Sequence, residues 1–173
     1  MHLGYVTTDT RGETDRLLSD YAAILLGRGT HLAGVAQTNT ECANSHLCDM
    51  DLLVLPDGPT IRISQSLGAG ARGCRLDTSA LEQAVALVTA SLDNAPQLLI
   101  VNKFGKHEAD GRGFRPVIAE ALMRGIPVLA GVNGMNHDAF LEFSEGMATR
   151  LTADIEDLDG WFTQIATTAA AVA

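Results

Sequence analysis

The run Leu98-Leu99-Ile100-Val101 constrains this chain more than any other feature. A strand with one wet face alternates apolar and polar residues. An unbroken apolar run needs cover on both faces, which is the condition at the centre of a parallel sheet. The neighbouring segments fit that setting. Residues 4–7, 31–37 and 126–132 read as further strands. Residues 12–28 carry Leu17, Leu18, Tyr21, Ala22, Ile24 and Leu25 at helical spacing, and Gly27 and Gly29 mark the end of that helix. Residues 114–124, 137–145 and 155–172 also read as helices, with Gly125 stopping the first. Ser79-Ala80-Leu81-Glu82 has the form of a capping box, opening a helix to about residue 92. Residues 51–55 and 60–64 flank Pro56-Asp57-Gly58-Pro59, a hairpin signal. Residues 38–50 are polar and read as a loop, and a glycine-rich loop covers 67–75. The alternation predicts one three-layer α/β domain over residues 1–173, with a mostly parallel sheet and an inserted β-hairpin.

Composition narrows the function classes. Hydrophobic residues are 46% of the 173, which excludes a disordered chain. No apolar run approaches the roughly 20 residues of a membrane helix. The first residues lack the basic-then-apolar pattern of a secretory leader, so a cytoplasmic location is expected. The net charge of −9 disfavours nucleic-acid partners, which need a basic face. Ten of the twelve cations are arginines, and the two lysines, Lys103 and Lys106, fall together. Cations clustered in an acidic chain point to a small anionic ligand; the alternative is that they balance nearby carboxylates.

Ligands of open α/β sheets sit at the carboxyl ends of the strands. That singles out residues 7–14, 102–112 and 133–136. The first loop occupies the place of a phosphate-binding P-loop, G-x-x-x-x-G-K-[ST]. Gly12 and Thr14 match it. Thr7 replaces the first glycine and Glu13 replaces the lysine, so a carboxylate stands where a phosphate needs a cation.

The loop after Val101 carries a specific resemblance. Asn102-Lys103-Phe104-Gly105-Lys106-His107-Glu108 is similar to the D-E-I-G-K-M-E motif of the thermophile-type nucleoside-triphosphatases. Gly105, Lys106 and Glu108 match, and Phe114 fits an aromatic that recurs downstream in that family. The family's Mg-associated Asp is Asn102 here, and its proposed catalytic Glu is Lys103. The combination of Arg62-Ile63-Ser64-Gln65, Gly73-Cys74-Arg75-Leu76-Asp77, residues 102–106 and Gly111-Arg112-Gly113-Phe114 more closely resembles a bacterial family of unknown function. That family is similar to a degenerate branch of the P-loop enzymes and is associated with nitrogenase or molybdenum gene neighbourhoods. The resemblance implies a P-loop-type fold without the metal-assisted hydrolytic machinery. The paired exchanges suggest an ion pair between Glu13 and Lys103.

Two further groups of residues invite chemistry. Arg62, Gln65, Gly70, Arg72, Gly73 and Arg75 combine arginine forks with glycines whose backbone amides can converge on an oxyanion. The alternative pairs those arginines with Asp57, Asp77 or Glu82. Cys42, His46 and Cys48 are soft ligands for a metal, with Cys74 as a fourth if the loops meet; the alternative is reduced cysteines in a polar loop. Asn133, Asn136 and His137 either line the pocket or form the turn.

The leading expectation is therefore a binding protein for a nucleotide, phosphate or molybdate-like oxyanion. Its ligand-binding residues are Arg62, Gln65, Gly70, Arg72, Gly73, Arg75, Asn102, Lys103, Gly105, Lys106 and Glu108. The runner-up is an enzyme of transfer or acid–base chemistry using Lys103, Lys106, His107 and Glu108. A third reading is a metal-binding accessory protein using Cys42, His46 and Cys48. The alanine-rich C-terminal helix packs either on the core or against a second subunit of a homo-oligomer.

Overall fold

The computed structural model describes residues 1–41, 48–65 and 75–172. Among these described residues, seven strands form one sheet: β1 (Leu3–Val6), β2 (Leu32–Glu41), β3 (Cys48–Val54), β4 (Thr60–Arg62), β5 (Leu98–Phe104), β6 (Val128–Val132) and β7 (Thr149–Arg150). Their order is β4-β3-β2-β5-β6-β1-β7. The apolar run lies in β5, the fourth of the seven, and Leu98, Leu99, Ile100 and Val101 are fully buried. Strands β1, β2, β5, β6 and β7 pair in parallel; β3 and β4 join antiparallel as the expected hairpin. The fold is thus the expected α/β one.

Among the described residues, the α-helices are α1 (Glu13–Gly27), α2 (Thr78–Ser91), α3 (Lys106–Ala109), α4 (Arg115–Met123), α5 (His137–Phe143) and α6 (Ile155–Val172). One face of the sheet is covered by α1 and α6, through Leu18, Tyr21, Ala22, Leu25 and Leu158. The other is covered by α2, α4 and α5, through Leu81, Val88, Ile118 and Phe140. Each apolar face of the sheet thereby has its own helical layer. The C-terminal helix packs on this core: the Tyr21 hydroxyl, at the middle of α1, donates to the Leu158 carbonyl at 3.3 Å. Burial holds that phenol well above its ordinary pKa, reinforced by the nearby Asp159 carboxylate.

Three local readings are corrected. The helix at 78–91 is capped by Asp77, whose extended backbone lets its carboxylate accept from Ala80 N at 3.0 Å. Ser79 already lies inside the helix, and Glu82 turns to a different partner. Much of the polar segment 38–50 is strand: Thr38 pairs with Asp51, Asn39 with Met50 and Thr40 with Asp49. Ladder hydrogen bonds hold these residues where no apolar alternation marks them. The segment 102–112 contains the single turn α3.

One glycine explains how β2 lies beside β5. Gly34 has φ +112, and a Cβ there would collide with the Ile100 carbonyl. Only glycine supplies both the conformation and the close approach.

Candidate functional site

The carboxyl edge of the parallel strands is built around Asp15, in the first turn of α1. Its side chain is 5% exposed. Asn102, at the end of β5, donates Nδ2–H to Oδ1 at 2.8 Å. On β2, Asn39 donates Nδ2–H to Oδ2 at 2.7 Å, and Gln37 donates Nε2–H to the same oxygen at 3.3 Å. Lys103 Nζ stands 3.5 Å from both oxygens. The amides also hold one another. Gln37 Nε2 donates to Asn39 Oδ1 at 2.7 Å, and Gln37 N donates to Asn102 Oδ1 at 3.1 Å. Both ends of the buried Asn102 amide are therefore used within the protein.

This arrangement replaces the expected Glu13–Lys103 pair with Asp15–Lys103. Residues advance about 100° each around a helix, so positions 13 and 15 point in nearly opposite directions. The turn that aims residue 15 at β5 aims residue 13 elsewhere. Gly12, with φ +78, precedes this turn and makes no side-chain cap.

The resemblance to the P-loop enzymes implies a Mg²⁺ ion at this strand edge, beside Asp15, Asn102 and Lys103. A divalent cation needs free oxygen ligands. Both Asp15 oxygens already accept amide donors, Asn102 presents its N–H₂ to them, and Lys103 places an ammonium beside them. These residues do not fit the ion. Among the described residues, no group of three His, Cys, Asp or Glu side chains could hold a metal.

The loop beyond β5 is braced internally. Glu108, buried, accepts from Gly105 N at 2.9 Å through Oε2 and from Phe114 N at 3.1 Å through Oε1. His107, also buried, meets Glu82 of α2 at 3.1 Å, and Gly113 N donates to the same Glu82 oxygen at 3.3 Å. Gly113 has φ +58, and a Cβ there would collide with the Glu108 carboxylate. Glu108 and His107 thus shape residues 105–114. Lys103 and Lys106 remain exposed on either side of Gly105, and Lys103 keeps 42% of its side chain in solvent.

A separate cluster lies on the β3–β4 ladder. Arg62 grips Asp51 through Nε at 2.9 Å and Nη2 at 3.2 Å, and reaches Asp49 through Nη1 at 2.9 Å. Arg75 approaches Asp49 at 3.5 Å and donates Nε–H to the Gln65 carbonyl at 3.3 Å. Gln65 donates its side-chain amide to the Leu76 carbonyl at 3.2 Å. The hydrogen bond from Arg62 holds the Asp51 carboxyl below the usual carboxylate range, with Coulombic attraction assisting and burial opposing. Among the described residues, Arg62 pairs with Asp49 and Asp51, and Arg75 with Asp49. Gly70, Arg72, Gly73 and Cys74 lie outside the described residues, as do Cys42 and His46. Cys48 opens β3, and its side chain is likewise not described.

The structure therefore brings Asn102 and Lys103 to Asp15, joins Gly105 to Glu108, and gathers Arg62, Gln65 and Arg75 on a different ladder. Sequence reasoning missed Asp15, Gln37, Asn39 and Glu82. An acid in the first turn after a P-loop-like turn was the available signal for Asp15. His137 also has a partner: its Nε2 lies 3.1 Å from the Tyr5 hydroxyl.

This is the three-layer fold of the P-loop nucleoside-triphosphatases. The chain is similar to THEP1 from the hyperthermophile Aquifex aeolicus, with a TM-score of 0.63 and 14% identity, covering 95% of this chain and 96% of that one. It is also similar to a human cancer-related nucleoside triphosphatase, with a TM-score of 0.60 and 18% identity, covering 98% and 97%. The chain belongs to the family described as protein of unknown function (DUF2478), whose model matches residues 3–161. It is also 34% identical over 150 residues to the molybdenum import ATP-binding protein ModC 2 of Bradyrhizobium diazoefficiens. That match covers 87% of this chain, which spans only 17% of that protein's length.

Proposed function

We propose that the carboxyl edge of the sheet, around Lys103 and Lys106, binds a small anion without metal-assisted hydrolysis. The ligand is a nucleotide, phosphate or a molybdate-type oxyanion. The observation that carries this reading is the closed network at Asp15. Asn102 and Lys103, where the resembling enzymes carry acids, are here an amide donor and a cation. A site rebuilt in this way favours negative charge over a divalent ion. Two exposed lysines flank Gly105 at the strand end where ligands of such sheets bind.

The similarity to a molybdenum import ATP-binding protein supports keeping molybdate beside nucleotides, and fits a role linked to molybdenum or nitrogenase metabolism. The acid–base alternative has less support, because Glu108 and His107 already brace the loop. We further propose that residues 1–173 act as one domain in the cytoplasm. Among the described residues, no helix is long and apolar enough to cross a membrane.

The test is a thermal-shift panel of nucleotides with and without Mg²⁺, phosphate, sulfate, molybdate and tungstate. A ligand at 100 times its Kd adds about 2.7 kcal/mol, which is several degrees for a chain of this size. A Mg²⁺-independent shift supports the reading. No shift with any of them overturns it.

A further inference from the structure

We propose that Asp15 stands in for the ligand in the free protein, and that Lys103 exchanges the Asp15 carboxylate for a ligand oxygen when an anion binds. This rests on the anion-site reading above and assigns a regulatory part to Asp15.

The geometry separates the contacts of Asp15 into two kinds. Three come from neutral amides at 2.7, 2.8 and 3.3 Å. Those amides are fixed by one another and by the backbone of β2, through Gln37 N and the Gln37–Asn39 bond. The fourth comes from Lys103 at 3.5 Å, the outer limit of a hydrogen bond, on a side chain 42% exposed. Removing the lysine leaves the carboxylate with its amide bonds intact. Removing an amide leaves a buried group unmet. Lys103 is thus the partner whose departure leaves the buried carboxylate still hydrogen-bonded, because its three amide donors stay in place.

The chemistry of the incoming group follows. It must offer Lys103 what the Asp15 carboxylate offers, an anionic oxygen, and it must approach from solvent, to which 42% of the Lys103 side chain is exposed. A phosphoryl group of a nucleotide and a free tetrahedral oxyanion both qualify. Asp15 then competes with the ligand for one ammonium group. The competition lowers apparent affinity and sets a threshold concentration below which the site stays internally paired.

Two measurements on the full chain test this. The first uses ¹⁵N-lysine-labelled protein. With two lysines in the sequence, the side-chain ammonium region holds two signals, and Lys106→Arg assigns them. Saturating inorganic phosphate, molybdate or ADP, added separately, is expected to move the Lys103 signal. A larger effect at lower concentration with ADP than with phosphate identifies a nucleotide phosphoryl group; the reverse identifies a free oxyanion. The second is calorimetric titration of Asp15→Asn with the same probes, expected to bind about tenfold more tightly than the parent because the competitor has lost its charge.

If the parent binds a probe while the Lys103 signal stays fixed, the exchange is overturned and the anion site stands. Equal or weaker binding by folded Asp15→Asn overturns it as well. If the parent binds none of the three, the anion site itself fails and the exchange falls with it. Should Asp15→Asn not fold, the lysine signal of the parent decides alone.

Discussion

Asp15 and Asp51 both sit beside a cation, but their surroundings differ in a way that separates architecture from function. Asp15 is buried at the end of β5 and takes its shortest hydrogen bonds from neutral amides, with Lys103 at arm's length. Asp51 lies on the β3–β4 ladder and takes two short bonds from Arg62, a residue 57% exposed. In the first case geometry is held by groups that carry no charge, so the cation is left for other work. In the second the cation is the geometry. Arg62 and Arg75, which the sequence makes conspicuous, are thereby engaged with Asp49 and Asp51. The less conspicuous lysine is the available one.

The largest expected effect comes from removing the buried acceptor. Asp15→Ala strands the amide donors of Asn102 and Gln37, both buried, and should cost about 3 kcal/mol in urea denaturation. A loss under about 1 kcal/mol would mean the amides find other partners and the hub is not structural.

Glu108→Ala should come next. It unties Gly105 N and Phe114 N, and a loss of about 2 kcal/mol is expected. Calorimetric melting of this variant sharpens the contrast, since Glu108, like Asp15, serves neutral donors.

Lys103→Ala should split the two readouts. Stability falls by about 1 kcal/mol, because the Asp15 carboxylate, 5% exposed, loses its cation but keeps its amide donors, while anion affinity falls about tenfold, a loss of one charge-assisted contact. Equal affinity would remove Lys103 from the site and break the comparison.

Arg62→Ala should be the mildest in stability, below about 1 kcal/mol and weaker still in high salt. Its pH dependence has a definite sign. The Asp51 carboxyl is held low when folded, so the contribution of the pair is complete above the ordinary carboxylate value. It is lost as pH falls through the lowered one. Melting curves of the parent and Arg62→Ala should therefore converge only on strong acidification.

The parts legible in the sequence were those written in contiguous residues. An unbroken apolar run has one comfortable place in a sheet, and Leu98 to Val101 took the centre. Pro56-Asp57-Gly58-Pro59 turned the chain between β3 and β4 as expected. The candidate hub was illegible because it is assembled from α1, β2 and β5, three segments brought together only by crossover connections. Its donors, Gln37 and Asn39, sit on β2 near or within a stretch whose polarity reads as loop. The ion pair expected at Glu13 missed by two residues, a half-turn of helix that charge bookkeeping alone does not resolve. The two-residue strand β7 carries no periodicity to detect.

The most direct test of the central claim is a calorimetric titration of the parent protein with ATP, in Mg²⁺ and in EDTA, with free phosphate assayed in the same cell. Binding of similar strength in both, with no phosphate released, is the result that Asn102 and Lys103 predict. Binding that requires Mg²⁺ and is followed by phosphate release would contradict it.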